Sequence, residues 1–189
     1  MKESLGAQTM SFPLPAYLVG SYDENGKANL MTAAWGGIVC STPPCLAVAI
    51  QPSRLTHPSI VKNKAFTVGI PNSRLAEAVD YAGLVSGRKH DKFAATGLTP
   101  VKSQLVNAPS ADDGPVILEC ELYQSLELGS HTLFVGRIVD VKAEVGLKTD
   151  SGALDLSKVD PLIFNCGGDY RQVGPAVGQA FSIGKNLKA

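Results

Sequence analysis

The feature that most constrains the fold is a long period-two alternation of apolar and polar residues between Val116 and Val145. Such alternation is typical of a strand with one buried face. Gly129-Ser130 interrupts it and predicts a turn into a return strand. A hairpin of this length favours a closed or nearly closed antiparallel barrel over an open sheet. The apolar positions are Val116, Leu118, Cys120, Leu122, Leu126 and Leu128 on the outgoing strand and Leu133, Val135, Val139 and Val141 on the return strand.

Shorter elements surround this hairpin along the chain. Asn25-Gly26 is a strong hairpin signal, and it separates a strand over residues 16–22 from a second one over Asn29–Trp35. The apolar run Leu46–Ile50 is typical of a buried strand. We expect a further strand at Phe66–Ile70, a short helix at Pro58–Asn63, and a helix capped by Asn72 or Ser73 with Leu75, Val79 and Ala82 on one face. These patterns predict a mostly β fold, a β-barrel with a few short helices, forming one domain over residues 1–189.

Charge and hydropathy exclude several classes of protein. The 17 Lys and Arg balance the 17 Asp and Glu, whereas a nucleic-acid-binding domain shows a basic stripe. No apolar run is long enough for a transmembrane helix. The first ten residues lack the apolar core of a signal peptide. We therefore expect a cytoplasmic protein that binds neither nucleic acid nor membrane.

The cysteines indicate neither a zinc site nor a redox motif. Cys40, Cys45, Cys120 and Cys166 include no C-x-x-C pair, and both kinds of site use such close spacing. Free buried thiols are common in protein cores, and this interpretation fits Cys120 best. No metal is expected, and no sequence neighbour of Cys40 makes it a redox-active thiol.

The stretch from Asn29 to Pro44 has an unusual composition for a core strand. Its centre, Thr32-Ala33-Ala34, consists of small residues, and Trp35 and two glycines follow. Small side chains and glycines let a flat molecule approach the backbone. The chain lacks both the Gly-rich dinucleotide motif and the Walker loop. The stretch is therefore a candidate slot for a planar group outside the common nucleotide folds.

Two polar, basic loops are candidates for binding phosphate. They cover residues 51–57, with Arg54 and Thr56, and residues 86–92, with Ser86 and Lys92. Hydroxyls, cations and free backbone N–H groups are the partners that a phosphate needs. The alternative is that both are ordinary solvated loops.

Several motifs in order resemble the flavin reductase-like family with an FMN-binding split barrel, and within it the flavoredoxin branch. They are MTAAWGG and CSTPP in the Asn29–Pro44 stretch, SGRKHDKFAATGLTP at Ser86–Pro100, ELGSHTLFVGRIVDV at Glu127–Val141, and AFSIGK at Ala180–Lys185. The resemblance covers nearly the whole chain. It implies a homodimer with noncovalent FMN, acting as an electron carrier for a redox protein partner or as a flavin reductase with NAD(P)H as donor.

The resemblance also implies a set of cofactor-binding residues. Thr32, Ala33, Ala34, Trp35, Cys40 and Ser41 match the segments that bind the flavin ring. Arg54 and Thr56 match the loop that contacts the phosphate and ribityl chain, and Ser86, Lys92 and Phe93 match the block that closes over the same end. Tyr170 loosely resembles an aromatic residue near the cofactor. The alternative for Trp35 is a core tryptophan at the barrel end.

His131 is the candidate catalytic residue. It begins the return strand of the long hairpin, at the predicted barrel rim. Histidine can exchange a proton near neutral pH, and the family often has a histidine there, near the flavin or the nicotinamide. The alternative is a structural histidine. The rival function is a flavin- or haem-binding module without turnover, in which Cys40 or His131 would serve as the haem ligand.

Overall fold

The computed structural model describes residues 1–165 and 168–187, and its centre is a seven-stranded antiparallel sheet. The strand order is β3-β2-β6-β9-β10-β5-β4. The strands are β1 (Leu14–Pro15), β2 (Tyr17–Tyr22), β3 (Ala28–Ala33), β4 (Gly36–Ser41), β5 (Pro44–Ile50), β6 (Ala65–Ile70), β7 (Pro100–Lys102), β8 (Pro109–Ala111), β9 (Val116–Glu127), β10 (Thr132–Ala143), β11 (Ile163–Phe164) and β12 (Tyr170–Arg171). The helices are α1 (Thr56–Asn63), α2 (Ala76–Leu84), α3 (Lys92–Thr96) and α4 (Leu156–Val159), with 3-10 turns at Ser73–Leu75 and Ile183–Asn186.

The sheet curls because its two edge strands are neighbours in the chain. β3 and β4 lie at opposite edges, yet only Ala34 and Trp35 separate them in sequence. The Ala49 N–H also donates to the Trp35 carbonyl at 2.8 Å, which ties this connection to β5. The edges therefore meet at residues 34–35, and the mostly β, barrel-like fold expected from the sequence is confirmed.

The long hairpin is confirmed, but the alternation of its side chains is not regular. β9 and β10 pair antiparallel with register shifts at Val135/Gly136 and at Ile138/Asp140. The buried residues of β10 are Thr132, Phe134 and Gly136, whereas Leu133 and Val135 point to the opposite face and Val141 is exposed. Leu126 and Leu128, at the far end of the hairpin, are also exposed. Period two thus predicted both strands and the buried face of Val116, Leu118 and Cys120 in β9, but in β10 it predicted the wrong face.

The core has two main parts, one inside the barrel and one between the barrel and α2, and a small third cluster of Ala65, Val106 and Ala108. Val19, Val48, Phe66 and Phe134 belong to the interior cluster. Gly136 lies against Phe66, and a Cβ at Gly136 would come within 2.5 Å of that ring. Leu18 and Leu30 lie on the outside of the sheet, where they pack in a second cluster with Val79 and Ala82 of α2 and with Phe93.

Most of the shorter elements were predicted to within a few residues. The turn at Asp23–Lys27 joins β2 to β3, with the Asp23 carboxylate accepting from the N–H groups of Asn25 and Lys27. β3 ends at Ala33, two residues before the predicted end at Trp35. Asn72 occupies the cap position before the 3-10 turn, but its side chain makes no capping hydrogen bond. Cys45 and Cys120 are buried free thiols, as expected for Cys120, and Cys166 lies outside the described residues.

Candidate functional site

A cleft of about 170 Å³ opens where the two edges of the sheet meet. One wall is the end of β3 and the connection after it, Met31–Trp35. The other wall is the end of β5, Ala49–Gln51, and Arg54 and His131 complete the lining. The predicted ring-binding residues Thr32, Ala33, Ala34 and Trp35 therefore lie together in one cleft. Their small side chains leave backbone and a flat surface accessible on that wall.

Trp35 and His131 form the rim of this cleft. Their ring centroids are 4.7 Å apart with an interplanar angle of 39°. A hydrogen bond of 2.9 Å joins His131 Nδ1 to Ser130 Oγ and helps to orient the imidazole. Trp35 is 41% exposed, so it is not the core tryptophan of the alternative interpretation. The rim thus presents an aromatic surface beside an imidazole.

Two cations lie side by side at the phosphate end of the predicted site. Lys92 is only 6% exposed, and its Nζ donates to the Ala82 carbonyl at 2.6 Å. Arg54 Nη1 points to the next carbonyl, that of Gly83, at 3.4 Å. Both carbonyls belong to the last turn of α2, where the helix dipole attracts cations. Burial, and secondly the charge of Arg54, lowers the pKa of Lys92 to about 8.

Neither cation has a carboxylate partner among the residues that the structure describes. A buried charge costs free energy unless it is paired and hydrogen-bonded. Hydrogen bonds to helix carbonyls offset only part of the free-energy cost of burying these two charges. The pair of Arg54 and Lys92 is therefore suited to an anionic ligand.

α2 holds the site together from behind. The Thr32 hydroxyl donates a short hydrogen bond to the Val79 carbonyl, so Thr32, Arg54 and Lys92 all bind carbonyls of the same helix. A Cβ on Gly83 would lie 3.3 Å from the Thr32 side chain, so the helix packs closely on β3. One helix therefore positions both the predicted ring end and the predicted phosphate end of the site.

The two predicted phosphate loops also lie next to each other. Arg88 Nη1 donates to the Ser53 carbonyl at 2.8 Å and joins loop 86–92 to loop 51–57. The Asn29 amide donates to Thr56 Oγ1 at 3.0 Å, and a Cβ on Gly87 would lie 2.1 Å from the Asn29 oxygen. This junction requires glycine at position 87, because the Asn29 side chain fills the space.

Within these loops the predicted residues occupy different environments. The Ser86 hydroxyl accepts from the Arg88 N–H at 3.3 Å within the partly exposed second loop. Thr56 is 1% exposed, with its oxygen bound to Asn29, and Phe93 is 5% exposed within the core cluster beside α2. Thr56 and Phe93 therefore support the loops from inside, whereas Arg54 lines the cleft.

Cys40 and Ser41 are not brought to the cleft within one chain. They lie at the exposed tip of the β4–β5 hairpin, opposite Cys45 and Pro44. The cleft residues Ile50 and Ala49 are at the other end of β5, which at about 3.3 Å per residue is some 15 Å away. Their predicted contact with a flavin ring stays a prediction.

His57 lies outside the lining of the cleft but connects two elements around it, and the sequence did not single it out. A hydrogen bond of 2.9 Å joins its Nε2 to Thr132 Oγ1, and its ring packs edge-on against Phe134. Burial lowers its pKa, and the charge of Glu127 acts in the opposite direction. His57 thus connects the end of the predicted phosphate loop, residues 51–57, to the residue after His131. No local pattern distinguishes it, because its hydrogen-bond partner Thr132 is 75 residues away.

Tyr170 is bound to α2 and to the small sheet beside it. Its hydroxyl donates to Asp80 at 3.2 Å, and its ring packs on Phe164. Burial, with Asp80 as the second cause, raises its pKa to about 12. Tyr170 is outside the lining of the cleft, so its predicted position near a cofactor stays a prediction.

The part of the chain that the structure describes contains no helix long and apolar enough to span a membrane. The same residues hold no cluster of His, Cys, Asp and Glu suited to a metal ion.

Comparison with known proteins identifies one family. Residues 9–174 match the model described as "Flavin reductase like domain". The flavoredoxin of Desulfovibrio vulgaris (Miyazaki F) is 44% identical, with a TM-score of 0.93 over 97% of this chain and 100% of that one. A flavoredoxin from Methanosarcina acetivorans is 33% identical, with a TM-score of 0.89 over 99% and 100% of the two chains. An FMN-binding protein from Thermus thermophilus is 26% identical, with a TM-score of 0.77 over 91% and 94%.

Proposed function

Because this chain belongs to the flavin reductase-like domain family, we propose that it binds FMN noncovalently and uses it to pass electrons between a donor and an acceptor. Membership of the family, together with the match to two flavoredoxins, makes it a flavin-binding oxidoreductase or electron-transfer protein. The identity of the flavin, the donor and the roles of individual residues are our proposals.

The observation that carries the choice of FMN is the pair of Arg54 and Lys92. FMN ends in a phosphate, which riboflavin lacks, and that phosphate would supply the missing counter-charge. Charge-assisted hydrogen bonds from such cations are the strong ones in anion recognition. The similarity to an FMN-binding protein supports the same choice.

The ring end of the cleft fits an isoalloxazine. The wall of Thr32, Ala33 and Ala34 offers backbone groups to a polar ring edge, and Trp35 offers an aromatic surface at the rim. When bound, FMN supplies the redox chemistry, whereas the protein binds, orients and excludes water. In this proposal Thr32 keeps its bond to α2, so the wall stays fixed during turnover.

We assign His131 a role in electron or hydride entry. Its imidazole lies at the rim, on Trp35, where a nicotinamide or a partner protein would approach. It would orient that donor or hold a proton close to the ring edge. The Ser130 hydroxyl fixes one ring nitrogen, which leaves Nε2 for this task.

Electron transfer with permanently bound FMN is the variant that we favour over release of reduced flavin. The support is the similarity to two flavoredoxins over nearly the full length of both chains. The donor in this proposal is NAD(P)H or a redox protein.

We further propose a homodimer. Exposed apolar side chains are grouped on β4 and on the distal half of β9 and the turn after it: Ile38, Val39, Tyr123, Leu126 and Leu128. A large exposed apolar patch commonly marks a protein interface. Sedimentation equilibrium of wild type and Leu126→Lys tests this: the wild type should sediment as a dimer and the variant should dissociate more readily.

The pigment of the purified protein tests the proposed function. We expect a yellow protein that releases FMN, and not FAD, on denaturation, as identified by chromatography against both standards. A Soret band would favour the haem-binding alternative. A colourless protein that does not bind added FMN would overturn the proposal.

Substitution of His131 by asparagine tests its role in turnover. Asparagine keeps a hydrogen-bond donor but cannot exchange a proton near neutral pH, so the reduction rate of bound FMN should fall about 10²–10⁴-fold while FMN occupancy holds. Stopped-flow reduction by NAD(P)H or a low-potential donor between about pH 5.5 and 8 measures this. An unchanged rate at full occupancy would make His131 a structural residue.

A further inference from the structure

Cys40 and Cys45 face each other across the β4–β5 hairpin. In the antiparallel ladder Cys40 is opposite Cys45 and Ser41 is opposite Pro44. The irregularity of this ladder lies between Ile38 and Cys40, so the two pairs at the hairpin tip are consecutive. Opposed residues of an antiparallel pair project to the same side, with Cα atoms about 4.5 or 5.5 Å apart. Both spacings lie within the range of about 4.4–6.8 Å that a disulfide requires.

The two thiols differ in accessibility. Cys40 is exposed, whereas Cys45 is 2% exposed. The row across the sheet continues from Cys45 to Arg137 and Glu121, which form an ion pair on the surface. Cys45 is therefore positioned between the Cys40 side chain and Arg137. Within a single chain a small oxidant can reach Cys40, and Cys45 is its partner in the ladder.

We propose that Cys40 and Cys45 form a reversible redox pair, in which Cys40 is the residue that reacts with peroxide and Cys45 the one that resolves it. This site goes beyond the proposed function and does not depend on it. No sequence motif predicts this pair, because four residues separate the two cysteines and they do not form a C-x-x-C motif. The hairpin register brings them together.

The chemistry balances with one peroxide. The Cys40 thiolate attacks an oxygen of hydrogen peroxide, the O–O bond breaks, and Cys40 becomes a sulfenic acid as hydroxide leaves and is protonated to water. The Cys45 sulfur then attacks the Cys40 sulfur, the S–O bond breaks, and a second water leaves with the proton of Cys45. The two thiols together lose two electrons and two protons. A dithiol reductant restores both by thiol–disulfide exchange and is itself oxidised to a disulfide.

Mass spectrometry of tryptic peptides from the full-length, FMN-containing protein tests the pair. Residues 28–54 form one peptide that holds Cys40 and Cys45 and no other cysteine, and Cys120 and Cys166 fall in peptides 103–137 and 159–171. After hydrogen peroxide, peptide 28–54 should lose two hydrogens and resist alkylation until dithiothreitol is added. Cys120 is the internal control: it is buried in the core, burial raises its pKa to about 12, and it should stay reduced.

Two variants separate the roles of the cysteines. In Cys45→Ala the sulfenic acid of Cys40 has no partner and should be trapped by dimedone. In Cys40→Ser the buried Cys45 should stay unmodified. The wild-type experiment decides the proposal even if a variant does not fold.

Three results would overturn the pair. They are an unmodified peptide 28–54, a dimedone adduct on wild-type Cys40 in place of the internal disulfide, and a disulfide between two chains on a non-reducing gel. The flavin absorbance of the same samples reports the proposed function separately, so either proposal can fail alone.

Discussion

Glu119 and Lys92 are both buried charged side chains, but only Glu119 has a counter-charge among the described residues. Glu119 is 1% exposed, accepts from the N–H groups of Gln104 and Leu105 at 3.2 and 2.8 Å, and forms an ion pair with Lys142. Lys142 also pairs with Asp140 at 2.8 Å. Lys92 has the Ala82 carbonyl and a second cation, Arg54.

This difference in counter-charge affects the pKa values of the two side chains. Burial raises the pKa of Glu119, but the bonds from Lys142 and the two N–H groups outweigh it, so the pKa is lowered. Burial lowers the pKa of Lys92, and its charged neighbour acts in the same direction. The cluster around Glu119 is complete without a ligand, whereas the one around Lys92 is not. The Glu119 cluster therefore stabilises the fold, and the lack of a counter-charge beside Lys92 supports our proposal that this second cluster binds an anion.

The largest effect that we predict is a loss of stability when the cluster around Glu119 is disrupted. Glu119→Gln removes the charge that Lys142 and two backbone N–H groups share, so the free energy of unfolding should fall by about 3 kcal/mol. Urea denaturation measures it, and FMN affinity should not change. Glu121→Gln is the matched control: Glu121 lies two residues away on the same face of β9, but its side chain is 46% exposed and pairs with Arg137 at the surface, so the substitution should cost much less. Equal losses for the two variants would contradict the difference between the clusters.

The next largest effect is a loss of FMN affinity when the cluster of Arg54 and Lys92 is changed. Arg54→Ala and Lys92→Met should each weaken FMN binding about ten- to a hundredfold, because each removes one charge-assisted hydrogen bond to phosphate. Riboflavin affinity should hardly change. The apoprotein should stay within about 1 kcal/mol of wild type for Lys92→Met, since the lost bond to Ala82 is offset by relief of a buried charge.

A control for this experiment lies in the same loop. Lys89 is exposed, and Lys89→Ala should leave FMN affinity near the wild-type value. If FMN and riboflavin lost affinity equally in the Arg54 and Lys92 variants, those residues would act through folding and not through the phosphate.

The smallest effect is on pH dependence. The pKa of Lys92 is about 8 in the free protein, and a bound phosphate would raise it. Below pH 8 Lys92 is charged both in the free protein and in the FMN complex, so its titration does not change the affinity for FMN. Above pH 8 only the complex keeps the proton, so the association constant for FMN should fall by up to about tenfold per pH unit.

Fluorescence titration with FMN and with riboflavin between about pH 6.5 and 9.5 measures this slope. Lys92→Arg should flatten the FMN profile, since an arginine stays charged throughout. Riboflavin should show no such loss in wild type. If FMN affinity of the wild type did not change with pH in this range, Lys92 would not be a ligand of the phosphate.

The sequence by itself determined the local elements and the position of the two loops that we predict to bind phosphate. The Asn25-Gly26 turn, the alternation in β9 and β10, and the apolar run of β5 each act over a few residues, so their periods can be read directly. The motifs around Thr32, Arg54 and Lys92 also indicated a cleft for a flat anion, and the structure brings these three residues to the same helix.

Only the tertiary structure decided which side chains share an environment. The strand order β3-β2-β6-β9-β10-β5-β4 sets Phe134 inside and Leu133 outside, leaves Lys92 buried beside a second cation, and joins His57 to Thr132. It also separates Cys40 from the cleft and sets it opposite Cys45. Local patterns specify the period of an element, but burial and charge pairing depend on contacts between residues far apart in the chain, and the folded sheet creates those contacts.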